Sequence, residues 1–147
     1  MRSRTFAFVA ACVALAALVA GPASGTAPSG RYVVDVGGNV FDNATKLTWQ
    51  RNVNASNLVT QAQAASYCAG LGGSWRLPNI VELRSIVDRS VPPPNIDTTF
   101  FPGTPVESFF WTSTPVPGAD LVWVVTFGGG NSSGDGPGDY QLVRCVH

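Results

Sequence analysis

The sequence predicts a small α+β fold: two short helices packed on short, mostly antiparallel strands, with the N- and C-terminal parts tied by one disulfide. Three features predict it. Helical spacing with capping residues occurs twice in the middle of the chain. Strand-like alternation lies before and after it, without the strand–helix–strand rhythm of a layered α/β protein. Finally, Cys68 falls in the first helical stretch and Cys145 in the last strand-like one.

Residues 1–25 read as a secretory signal peptide. Arg2 and Arg4 give a positive start, Thr5 to Ala20 is an almost unbroken apolar run, and small residues follow at Gly21, Ala23, Ser24 and Gly25. At about 16 residues the run is shorter than the roughly 20 that a spanning helix needs. Val9-Ala10-Ala11-Cys12 also resembles a lipoprotein cleavage box, so lipidation at Cys12 is the alternative. Residues 26–147 then form one domain, long enough for a single core. Without Arg2 and Arg4, nine basic residues become seven against nine acidic ones. That slight negative balance, with no basic run, argues against nucleic acid as a partner.

From Gly30 the chain reads RYVVDVGGNVFD, two short apolar segments around Gly37-Gly38, as in a hairpin. A turn at Asp42–Thr45 leads to Leu47-Thr48-Trp49-Gln50-Arg51, which alternates like a half-buried strand. Thr60-Gln61-Ala62-Gln63 is a capping box, in which the hydroxyl and the amide satisfy free backbone donors. Ala64, Tyr67, Cys68 and Leu71 follow at helical spacing as one buried stripe, ended by Gly70, Gly72 and Gly73. Pro78 keeps Trp75–Leu77 extended. Asn79 and Glu82 cap a second helix with Ile80, Leu83 and Val87 inward, and Pro92, Pro93 and Pro94 forbid its continuation. Residues 95–108 look irregular. Strands resume at 109–114 and 121–127; the second is apolar on both faces and belongs in the centre of a sheet. Tyr140 to Val146 closes the fold as a strand.

Export would deliver two cysteines to an oxidising compartment, and an even pair there is most simply a disulfide. The alternative, a reactive thiol or metal pair, lacks a supporting histidine or close cysteine spacing. Closing a loop of about 78 residues stabilises by on the order of 4 kcal/mol in the chain-entropy model.

Candidate ligand-binding residues come from two places. Gly128 to Asp139, GGGNSSGDGPGD, reads as a long polar loop offering Asn131, Ser132, Ser133, Asp135 and Asp139 as hydrogen-bonding groups. Trp49, Trp75, Trp111 and Trp123 sit among apolar neighbours and should supply core area. If one of the four is exposed to meet a ligand, it is Trp111, since it leads into Thr112-Ser113-Thr114. Arg76 should bond a carbonyl or a carboxylate such as Glu82 or Asp88. No zinc spacing, phosphate loop, dinucleotide fingerprint or calcium-loop pattern occurs, so neither metal nor cofactor is implied. The one histidine, His147, is the last residue, a poor place for a catalytic base. An enzyme is not expected.

The ordered landmarks LTWQR (47–51), YCAGLGG (67–73), WRLP (75–78), ELRSIVD (82–88), IDTTFFPGTP (96–105), FWTSTP (110–115), WVVTF (123–127) and VRCV (143–146) resemble the Lcl C-terminal domain family. That family looks related to the C-type lectin-like fold, where a helix cysteine bonds one on the last strand. The resemblance implies a secreted or surface-exposed binding or adhesion domain, with carbohydrate engaged through loops and a glycan or surface protein as partner. The family's namesake is a collagen-like adhesin associated with sulfated glycosaminoglycans and trimer formation. This chain has no Gly-X-Y tract and no cationic surplus, so neither property is carried over. The Glu-Pro-Asn, Gln-Pro-Asp and Trp-Asn-Asp motifs of calcium-dependent sugar binding are missing too. The alternative function is a structural or assembly module of the bacterial envelope with no small ligand.

Overall fold

A computed structural model describes residues 27–147; the expected signal peptide and the Cys12 box lie outside the described residues. Strands β1 (Tyr32–Val34), β2 (Val40–Asp42) and β3 (Leu47–Trp49) form an antiparallel sheet in that order. The β1–β2 turn forms because Asp35 accepts from the Gly37 and Asn39 amides, with Gly38 at φ 78° where a side chain would be strained. Helices α1 (Gln61–Gly70) and α2 (Ile80–Ser85) follow. A second antiparallel sheet holds β4 (Phe109–Pro115), β5 (Val122–Thr126) and β6 (Ser132–Asp135), with β5 in the middle. Among the described residues no helix is long and apolar enough to cross a membrane.

Both capping boxes are present. Thr60 and Gln63 satisfy each other's backbone at the start of α1, and Asn79 and Glu82 do so at α2. The buried stripe of α1 is narrower than its spacing suggested. Ala64 and Cys68 are buried, but Tyr67 and Leu71 are exposed. The helix touches the body along one line of small side chains, and Tyr67 turns outward to accept a hydrogen bond from Gln50 Nε2 at 2.7 Å. In α2, Leu83 is buried while Ile80, and Val87 just past the helix end, are half-buried against the core.

The β4–β5 pair separates two apolar clusters. Phe110 and Val125 face the larger one, with Trp49, Leu83, Ile96, Phe101 and Phe127. Trp111 and Val124 face the other, with Ala64, Cys68, Leu77 and Cys145. A strand covered on both faces is why β5 reads as a continuous apolar run.

The chain end, residues 140–147, runs between these elements instead of pairing along one of them. Its amides and carbonyls bond Val59, Phe109, Trp111, Gln50, Arg76 and Thr48 in turn. The expected closing strand is thus an extended segment making isolated bridges on both sides. Its side chains alternate: Leu142 and Val146 enter the larger cluster, Val143 and Cys145 the smaller one.

The cysteines are joined. Cys68 and Cys145 have their sulfurs 2.01 Å apart and their Cα atoms 5.5 Å apart, across 77 residues of sequence. Replacing both by serine should lower the unfolding free energy by about 4 kcal/mol, read from denaturant titration against the oxidised parent. A loss below about 1 kcal/mol would show that the link adds nothing beyond the packing around it.

Candidate functional site

Four surface clefts among the described residues lie along one stretch of chain, residues 87–107. The stretch has no helix or strand, yet it is firmly held. Asn95, almost buried, donates from its backbone to Phe127 O at 2.6 Å and from its side chain to Val91 O at 2.7 Å. Ile96 and Phe101 enter the larger cluster. Arg51 donates to Phe100 O and, at 3.4 Å, to Thr99 O.

The firmest anchor is Arg144, whose side chain is fully buried. One guanidinium nitrogen donates to Gln50 O and Arg51 O at 2.8 and 2.9 Å, and the other to Thr104 Oγ1 at 2.8 Å. Thr104 passes the bond on to Phe101 O. The cation also lies 4.9 Å from the Phe101 ring centre and 5.8 Å from that of Phe110. Burial pushes the guanidinium down to about 9, which leaves it charged at neutral pH. No carboxylate among the described residues pairs with it; carbonyls, a hydroxyl and aromatic faces surround it instead.

Four clefts border this stretch. One of about 340 Å³ lies between the entry to β1 and Asp97–Phe100. A second, of about 230 Å³, is walled by Val91 to Pro94 and shares Asp97 and Thr99 with the first. A third, also about 230 Å³, is lined by Arg84, Val87, Arg89 and Gly130. A fourth of about 290 Å³ runs from Val106 and Glu107 to the turn at Gly128, Gly129 and Asn131. The turn is rigid because Arg89 donates to Gly129 O and Gly130 O, and at 3.4 Å to Asn131 Oδ1.

The residues expected to bind a ligand are dispersed by the fold. Residues 128–139 are not one loop: Ser132–Asp135 is strand β6, paired with β5 from Val125↔Ser132 to Val122↔Asp135. Ser133 and Asp135 therefore share one face of the sheet and Ser132 lies on the other, its hydroxyl buried without a protein partner. Asp135 accepts from the Gln141 side-chain amide, and Asp139 closes the next turn on the Gly136 amide at 2.9 Å. Asn131 is exposed and borders the fourth cleft. Trp111 is not at the surface. It is fully buried, with Nε1 donating to Val59 O at 2.7 Å, because both faces of β4 are covered where it lies. Trp49 is buried too, while Trp75 and Trp123 are half-buried; Trp75 packs edge-on to His147. Arg76 makes the expected carboxylate contact, two bonds of 2.8 Å to Glu82, together with Leu77 O. Among the described residues no three His, Cys, Asp or Glu side chains gather as a metal site would require.

Asp97, Thr98, Thr99, Tyr32 and Arg89 were not singled out from the sequence, although all five line or border clefts. The available signal was the length of the structureless stretch with its three prolines.

Residues 38–147 match the family model described as Lcl C-terminal domain. The chain belongs to the Lcl C-terminal domain family. No curated protein matches it. The family match covers the whole cleft-bearing stretch and both disulfide-bonded cysteines, while Arg31 and Tyr32 precede it.

Two outcomes follow from this geometry. A Cβ on Gly128 would sit 2.4 Å from Val106 O, a backbone atom that cannot swing away. Gly128→Ala should therefore cost about 1–3 kcal/mol in denaturant titration and reshape the fourth cleft; an unchanged midpoint would contradict the packing. The second outcome concerns acid. Burial would raise the Asp42 carboxyl, but hydrogen bonds from Arg31, the Ala44 amide and Thr45 outweigh it and hold the group below its ordinary value. Glu82 is likewise lowered, chiefly by Arg76. A lowered folded-state value means that the unfolded chain takes up the proton first. The stability these groups contribute is thus present above about pH 4 and lost as pH falls through their folded values. Asp42→Asn should flatten the fall in unfolding free energy between neutral pH and pH 3. An equally steep fall in the variant would remove Asp42 from the account.

Proposed function

We propose that this chain is a non-enzymatic binding domain that works outside the cytoplasm, in secreted or surface-exposed form, and recognises carbohydrate through the loop face at residues 87–107. The observation that carries this reading is the gathering of four clefts along one irregular but firmly anchored stretch. Binding groups on a preformed loop lose little entropy when a ligand arrives. The disulfide supports the compartment, since such links persist in oxidising surroundings. The groups with unusual environments support a binding rather than a catalytic role. Arg144 is committed to carbonyls, Asp42 to Arg31, Glu82 to Arg76, and both cysteines to each other.

A second reading, an assembly module of the envelope, draws on Val33, Val34 and Val36. These are exposed on or beside the edge strand β1, where another protein could cover them. A glycan array probed with the folded chain, with and without calcium, tests the first reading; selective retention of particular glycans is expected. Silence across the array, joined by self-association in sedimentation that Val33→Lys abolishes, would replace it with the second.

A further inference from the structure

We propose that the first two clefts act as one groove for a neutral, hydroxyl-rich ligand, one or two pyranose rings of an uncharged saccharide, with Asp97 as its central acceptor. This rests on the carbohydrate reading above and adds the place and the chemical class. The two clefts adjoin, with Asp97 and Thr99 in the walls of both. The larger one alone has the size of a small-molecule site, for which about 300–1,000 Å³ is usual.

Asp97 is the reason to expect a ligand. It is only 9 % exposed, and Oδ1 accepts the Thr99 amide at 3.0 Å, while no donor among the described residues reaches the other oxygen. That oxygen is not sealed away from solvent, so it is open to accept from a hydroxyl in the groove. Tyr32 stands beside it. Its ring is fixed under the Arg31 guanidinium, 4.7 Å from the ring centre, and against Phe100 and Phe101. The hydroxyl has no partner among the described residues and is not sealed away from solvent, and the residue lines the larger cleft, where a hydroxyl can both donate and accept. Thr98 and Thr99 add exposed hydroxyls at the junction. Phe100 and the Pro92–Pro94 wall supply apolar surface for the C–H faces of a sugar ring.

Charge selects against ionic ligands. Arg31 is held in a two-bond pair by Asp42, and Arg51 donates to the Thr99 and Phe100 carbonyls. Asp88 and Asp97 complete the local set. A cation entering the groove would face Arg31, and an anion would face Asp97. A neutral polyol meets neither penalty and can use donors and acceptors alike.

The test is a titration of isotope-labelled protein with methyl mannoside, methyl galactoside, N-acetylglucosamine and cellobiose, following backbone amide shifts. At least one sugar should shift Tyr32, Asp97, Thr99 and Phe100 together, with an affinity that added salt leaves unchanged. Asp97→Asn keeps an acceptor for the Thr99 amide and should weaken that sugar about tenfold. Tyr32→Phe keeps the buried ring, loses only the hydroxyl, and should weaken it several-fold with the fold intact. Sugar-induced shifts confined to other residues, with full affinity in both variants, would overturn the groove while leaving the carbohydrate reading standing. Silence toward all four sugars, on a protein whose glycan array is positive, would also overturn the groove. Silence in both experiments would remove the carbohydrate reading and the groove with it. A salt-sensitive response to a lysine-rich peptide at the same amides would show that the groove takes cations, against the proposal.

Discussion

Everything in this fold hangs on how the last eight residues are held. Arg144 and Cys145 are neighbours in sequence, and extended backbone points neighbours to opposite sides. Arg144 goes into the larger cluster, where it holds the exit of β3 and the Phe101–Thr104 segment; Cys145 goes into the smaller one, where it is bonded to α1. One dipeptide therefore joins the early sheet, the first helix and the cleft-bearing stretch. The cation costs a great deal to desolvate. Three hydrogen bonds and two aromatic faces offset that cost, and the same contacts fix the loop that carries the clefts.

Much of this was legible in the residues. Thr60-Gln63 and Asn79-Glu82 mark the starts of α1 and α2, because capping is a local matter settled within four residues. The disulfide followed from the expected compartment and the cysteine count. Central placement of β5 followed from its apolar faces. Elsewhere the pattern misled, for physical reasons. Tyr67 and Leu71 have the spacing of a buried stripe, but α1 is fastened covalently and needs only Ala64 and Cys68 against the body. Ser132 to Asp135 has the composition of a loop, yet the free side of β5 accepts it as a strand, since backbone pairing asks little of an edge strand's side chains. Trp111 leads into a polar run but lies where β4 is covered on both faces. Its burial depends on α1, which is distant in sequence.

The candidate site was the least legible part. Its groups come from the β1 entry, α2, the 87–107 stretch and the β5–β6 turn, and only the tertiary fold brings these together. No single segment carries a motif. Asp97 looks ordinary within IDTTFF; its near burial and its uncommitted oxygen arise only once Ile96 and Phe101 have entered the core on either side.

Hydrogen exchange at the chain end tests the central claim most directly. The Gln141, Leu142, Val146 and His147 amides each donate to a carbonyl of a different segment. They should exchange only through global unfolding, with protection equal to that of Val124 and Val125 in β5. If these terminal amides exchange rapidly while β5 remains protected, the last residues fray independently, and the chain end does not hold the fold together.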